Sequence, residues 1–208
     1  MAKRGAAEYL PDKRSKAALQ AAVQSCRGCG LYRHATRAVF GEGRKRARLM
    51  LVGEMPGNDE DRVGRPFVGP AGRVLDRALA DAGIDRDNAY VTNVVKHFKW
   101  EERGKRRLHK RPKADEVAAC RPWFDAELDL IRPEVLVCLG ATAARALLGA
   151  DFRVTRQHGE FVDSGLARYV TATGHPSAIL RARDDLSRER LMRELVEDLG
   201  KVAGVLGH

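Results

Sequence analysis

The chain has 208 residues, 44% of them apolar, and a formal net charge of +10. That length suits one domain with a full hydrophobic core, and the apolar fraction is ordinary for a globular protein. No run approaches the roughly 18 consecutive apolar residues of a membrane span, and Met1–Leu10 lacks the apolar stretch of a signal peptide. The expectation is a cytoplasmic monomer, with no membrane partner, folded as a single domain over residues 1–208.

In chain order, the first feature is a C-x-x-C hook, Cys26 and Cys29, in the glycine-rich turn CRGCG. Arg46–Gly53 is a short apolar run ending in glycine and reads as a buried strand. Ala71–Ala82 places Val74, Leu75, Ala78 and Leu79 at helical spacing. Ala89–Val95 is β-branched and short, hence a second strand. Lys99–Lys113 is dense in lysine and arginine, with Glu101 and Glu102 its only acids, and reads as a long basic loop inserted after that strand. Such a run attracts a polyanion, because neutralising phosphates releases counterions; taken alone, it reads equally well as a solvated loop. Ala114–Ile131 is an amphipathic helix, Glu134–Leu139 a third strand, and Ala141–Leu148 an alanine-rich helix. Arg168–Ala172 is a weaker fourth strand, and Leu186–Val205 a closing helix.

Strand–helix alternation predicts an α/β fold, a single-domain three-layer α/β/α arrangement with a mostly parallel four-stranded sheet. Ligands of such sheets sit at the carboxyl ends of the strands. Gly53–Asp61, Asn93–His97 and Gly174–Leu180 all follow predicted strands, so they should converge on one rim. On that rim Glu54, Asp59, Glu60 and Asp61 supply carboxylates, and Phe67 lies in the loop GRPFVG. Asn93 carries an amide able to read one carbonyl and one N–H side by side. His175 precedes Pro176 and Ser177. Each has a plainer reading as a turn, core or strand-end residue. The four cysteines, Cys26, Cys29, Cys120 and Cys138, suit structural zinc, an iron–sulfur cluster, or a redox pair with two core thiols; spacing does not separate these.

Together the motifs resemble the family 4 uracil-DNA glycosylases, iron–sulfur members of the uracil-DNA glycosylase superfamily. The resemblance is carried by the C-x-x-C hook, VFGEG at Val39–Gly43, GEMPG at Gly53–Gly57, GRPFVG at Gly64–Gly69, TNVVK at Thr92–Lys96 and HPSAIL at His175–Leu180. It implies a [4Fe–4S] cluster on Cys26, Cys29, Cys120 and Cys138, and uracil-containing DNA as the partner. It also implies a uracil site of Gly53, Asp59, Phe67, Asn93 and His175. The segment KRRLH at Lys105–His109 resembles the KRRIH loop of the UdgX branch, whose members stay covalently attached to DNA after removing uracil. Leu108 replaces isoleucine, and Met55 stands where that branch usually has glutamine.

That resemblance implies catalytic roles for His109, Glu54 and His175, with His109 capturing the sugar after uracil leaves. Glu54 is a candidate acceptor for the proton that His109 sheds. Lys105, Arg106, Arg107, Lys110, Ser177 and Arg181 are expected to contact DNA, and Arg106, Arg107, Lys110 and Arg111 to keep His109 neutral and hold the phosphates. Two other readings stand beside self-attachment: a conventional turnover glycosylase, and a non-catalytic iron–sulfur nucleic-acid-binding protein.

Overall fold

A computed structural model describes residues 5–104 and 106–207. The apolar runs form four parallel strands: β1 (Leu49–Gly53), β2 (Ala89–Asn93), β5 (Val135–Leu139) and β6 (Tyr169–Thr173), in the order β2-β1-β5-β6. Between β2 and β5 lie β3 (Trp100–Arg103) and β4 (Arg106–His109), paired only with each other. The helices are α1 (Lys16–Val23), α2 (Asn58–Val63), α3 (Pro70–Asp81), α4 (Ala114–Ile131), α5 (Ala141–Leu148), α6 (Val154–Gln157), α7 (Pro176–Leu180) and α8 (Asp185–Leu206).

Successive strand side chains point to opposite faces, so each apolar strand feeds two cores. Met50 and Val52, Tyr90, Leu136 and Cys138, and Val170 and Ala172 pack with Leu19 and Val23 of α1, Trp123 and Phe124 of α4, and Ala143 of α5. Leu49 and Leu51, Ala89 and Val91, and Val135 and Val137 pack on the other side with Leu75 and Leu79 of α3 and Leu195, Leu199 and Val202 of α8. These are the expected three layers around a parallel sheet. None of the described helices is long and apolar enough to cross a membrane.

The basic insert differs from the expected loop. It is a β-hairpin with Trp100 opposite His109 and Glu102 opposite Arg107, turning at Gly104 with φ 59°. The arrangement has a charge logic. Glu102 faces Arg107 across the ladder, although Arg103 faces Arg106, and Lys110 pairs with Glu101 at 2.8 Å. Arg107 is turned inward. Its guanidinium lies 5.0 Å from the Phe98 ring centre and 4.7 Å from that of Trp100, and it pairs with the fully buried Asp61. Asp61 also accepts from the Thr36 N–H and hydroxyl, and Trp100 donates to the His34 carbonyl at 2.8 Å. The hairpin is thus fastened at its base to α2 and to the loop after the C-x-x-C hook.

Candidate active site

The carboxyl ends of the four strands open into a cavity of roughly 620 Å³, lined by Glu54, Phe67, Asn93, His109, Lys110, Thr142, His175, Ser177 and Arg181 among others. Each strand delivers one group at this rim. Gly53 ends β1 directly beside Asn93, which ends β2. A Cβ at Gly53 would stand 2.4 Å from Asn93 Oδ1 and 2.7 Å from Phe67 Cζ. Only glycine lets the amide and the ring come together here. Phe67 itself adopts φ 55°, a strained value for a bulky residue, and its ring stacks toward His175 with centres 6.1 Å apart. Asn93 Oδ1 is buried without a hydrogen-bond partner.

Gly140, with φ 89° after β5, leaves room for His175, whose Cβ lies 2.8 Å from where a Gly140 side chain would begin. The Ser177 backbone N–H donates to His175 Nδ1 at 3.1 Å, so that nitrogen carries a lone pair. The neutral ring therefore holds its proton on Nε2. Burial is the main cause that brings the His175 pKa down to about 4, with the charges of Arg181 and His109 adding to it. Ser177 Oγ sits 2.8 Å from the same Nδ1 and accepts from Arg181 at 2.9 Å. Ser177, expected at the DNA backbone, lines the cavity and braces His175.

His109 ends β4 at the base of the hairpin. Its Nε2 lies 3.5 Å from Glu54 Oε1, and its ring centre is 6.0 Å from that of Phe98. Burial pushes the His109 pKa below the usual histidine value; Glu54 opposes that shift, while Arg181 and Arg111 reinforce it. The other Glu54 oxygen accepts from the Thr142 hydroxyl.

The acids after β1 separate by role. Glu54 faces the cavity. Glu60 accepts from the Gly57 and Gly69 N–H groups and closes the α2 entry, and Asp61 anchors Arg107. Asp59 is exposed in the first turn of α2, beside Asn58, and does not line the cavity, unlike the expectation for it. Arg107 is likewise spent within the protein instead of facing DNA. Arg106 is exposed on the hairpin; Lys105 lies outside the described residues.

The sulfur sites also divide. Cys26, Cys29 and Cys120 lie within electrostatic reach of one another, and Trp123 Nε1 and the Lys96 N–H donate to Cys26 and Cys120 sulfurs at 3.2 and 3.3 Å. Cys138 stands on β5 between Val52 and Ala172, and burial alone pushes its thiol up to about 12. Among the described residues, no three His, Cys, Asp or Glu side chains stand in metal-holding geometry. Of the four expected thiols, Cys26, Cys29 and Cys120 gather, and Cys138 stands apart in the sheet core.

The sequence model of the uracil DNA glycosylase superfamily matches residues 40–200. The chain belongs to the uracil DNA glycosylase superfamily. Among curated members, it is 38% identical to a type-4 uracil-DNA glycosylase of Thermotoga maritima over 86% of this chain and 88% of that protein. It is 36% identical to one of Sulfurisphaera tokodaii over 86% and 80%. A type-5 uracil-DNA glycosylase of Pyrobaculum aerophilum is 34% identical over 64% of the chain and 62% of that protein. The superfamily match spans all four rim strands and the hairpin.

Sequence reasoning found Glu54, Phe67, Asn93, His109 and His175, which share the cavity. It missed Thr142, hidden in an alanine-rich helix start, and the bracing of Arg107 by Asp61. The T in GATAAR carried no signal for the first. The second joins residues 46 positions apart, and no local pattern marks it.

Proposed function

We propose that this chain excises uracil from DNA and then captures the exposed sugar on His109, the outcome that characterises the UdgX branch. One observation carries the second half: His109 Nε2 stands 3.5 Å from Glu54 Oε1 in the cavity that also holds Asn93, Phe67 and His175. The reaction needs an extruded or single-stranded nucleotide, because a stacked base is out of reach. Asn93 Oδ1, buried and unpaired, is matched to the uracil N3–H, and its amide nitrogen to O4. Leaving such an acceptor empty costs about 1–3 kcal/mol, which uracil binding recovers. Phe67 covers the base face.

When the C1′–N1 bond breaks, uracil leaves with the electron pair. His175 Nε2–H donates to the negative charge that grows on the base, a contribution worth roughly 10²–10³ in rate for one well-placed donor. The Glu54 carboxylate faces the cationic sugar. One imidazole nitrogen of neutral His109 then bonds to C1′, and the proton on its other nitrogen passes to the Glu54 carboxylate or to solvent, leaving a neutral N-substituted imidazole that departs poorly. No step requires the iron–sulfur group.

Incubation with a uracil-containing single-stranded oligonucleotide tests this. A denaturant-stable protein–DNA band that disappears in His109→Ser is the expected result. Free abasic DNA without that band supports conventional turnover, and unchanged DNA a non-catalytic binder.

A further inference from the structure

We propose that Thr142 is a positioning residue that divides the two oxygens of Glu54: its hydroxyl holds Oε2, which turns Oε1 toward His109. This rests on the capture reading above and supplies what fixes the carboxylate in it. Thr142 Oγ1 donates to Glu54 Oε2, while Oε1 lies 3.5 Å from His109 Nε2. A glutamate side chain has three rotatable bonds, and here two of its neighbours come from distant parts of the chain: the start of α5 and the end of β4. The hydroxyl has a single proton, and it is committed to Oε2.

The location reinforces the contact. Thr142 is the second residue of α5, which begins after Gly140; the first bond closing this helix runs from the Ala144 N–H to the Gly140 carbonyl. The N–H groups at the start of a helix lack partners inside it and favour a negative charge nearby. Glu54 therefore meets a hydroxyl donor and a helix N-terminus on one side, and a histidine on the other. Around His109 the other charged or titratable groups that act on it or line the cavity are Glu60, Lys110, Arg111, Arg181 and His175. Glu54 favours the imidazolium against burial, Arg181 and Arg111, so its aim moderates that downward shift and orients the ring. Without the Thr142 hydroxyl, the carboxylate is free to swing toward Arg181 or solvent.

Thr142→Val keeps the branched shape and removes the donor; Thr142→Ser keeps the donor and removes the methyl. The experiment follows His109 ring resonances by NMR titration of the full chain, alongside single-turnover excision and adduct formation on a uracil-containing single-stranded oligonucleotide from pH 5 to 9. In Thr142→Val the His109 midpoint falls, approaching that of Glu54→Gln, because the carboxylate that favours its cation turns away. Adduct formation falls by about tenfold, the scale of one lost charge-assisted hydrogen bond. Its acid limb, set by the need for a neutral His109, moves down in pH with that midpoint. Thr142→Ser restores all three. A His109 midpoint in Thr142→Val that stays at the wild-type value or rises, or a serine variant that behaves like valine, overturns the proposal. The titration needs no DNA. A wild type that leaves uracil untouched therefore refutes the excision reading, while the NMR arm still decides what Thr142 does.

Discussion

Replacing Gly53 by alanine puts the base-reading geometry under direct test. The added methyl would stand 2.4 Å from Asn93 Oδ1 and 2.7 Å from Phe67 Cζ, where ordinary carbon contacts begin near 3.4 Å. Either the amide or the ring must retreat by close to 1 Å. Asn93 ends β2 in register with Gly53, and its backbone carbonyl accepts from buried Lys96 at 2.7 Å, so the strand itself resists moving. Phe67 is held from behind, since its carbonyl stands 1.8 Å from where a Cβ on Gly72 would be. The displacement therefore falls on the two side chains assigned to the base in the proposed reaction. A misplacement of that size at a reacting centre costs on the order of 10²-fold in rate. Overpacking costs about 1–3 kcal/mol of stability, or roughly 2–12 °C in melting temperature for a chain of this size. Single-turnover excision on a uracil oligonucleotide and a thermal melt separate the two effects. Gly204→Ala in α8, with nothing within 4 Å of its added methyl, is the control and should excise normally. A folded Gly53→Ala protein that excises uracil within about threefold of wild type would refute the assignment of Asn93 and Phe67 as the base clamp.

Other expectations concern the hairpin, the histidines and the thiols. Arg107→Met leaves Asp61 as an uncompensated buried charge and should cost about 3–5 kcal/mol, with Asp61→Asn in the same chain restoring much of it; equal melting of the single and double variants would disprove the pairing. In Arg107→Met, adduct yield should drop further than excision, since the anchor serves the strand that carries His109; equal losses in gel-resolved assays argue otherwise. His175 has a folded pKa near 4, below its unfolded value, so its contribution to stability is complete above about pH 6.5 and is lost as pH falls toward 4. His175→Gln should flatten the decline of melting temperature over that window, and an unchanged slope contradicts the burial argument. Cys138→Ser should keep any visible iron–sulfur absorption of the purified protein, while Cys26→Ser, Cys29→Ser and Cys120→Ser lose it; bleaching by Cys138→Ser would restore the four-cysteine set.

The sheet was legible because burial on both faces leaves continuous apolar runs, and LMLVG and VLVCL announce themselves. Strand ends were less so: Arg46–Ala47–Arg48 looked continuous with β1, yet ladder pairing starts at Leu49. The hairpin was opaque for the opposite reason. Its strands, WEER and RRLH, are held by cross-strand charges and by Arg107 packing on Phe98 and Trp100, whereas strand recognition depends on apolar alternation. The acidic run after β1 looked like one group of carboxylates because sequence gives their type and not their direction. The start of α2 then assigns Asp61 to Arg107 and Asp59 to solvent, and ties both Glu60 oxygens to backbone N–H groups at the cavity wall, leaving Glu54 as the acid that faces His109.

That division bears on how capture could be added to excision. The groups assigned to the base in the proposed reaction, Asn93, Phe67 and His175, come from the end of β2 and from the loops that follow β1 and β6, and two of those strands are flanked by cores on both faces. The nucleophile in the proposed reaction comes from a two-stranded attachment that pairs with no strand of the sheet and is fastened through Asp61, Thr36 and His34. Base recognition and sugar capture are therefore mechanically separable. Loosening the attachment should leave the base clamp intact, whereas disturbing the clamp must stop both reactions. Glu54 is the exception, since it ends neither element alone: it follows β1, faces His109 across the gap and is steadied from α5. A change there should impair excision and capture together, which no hairpin substitution does.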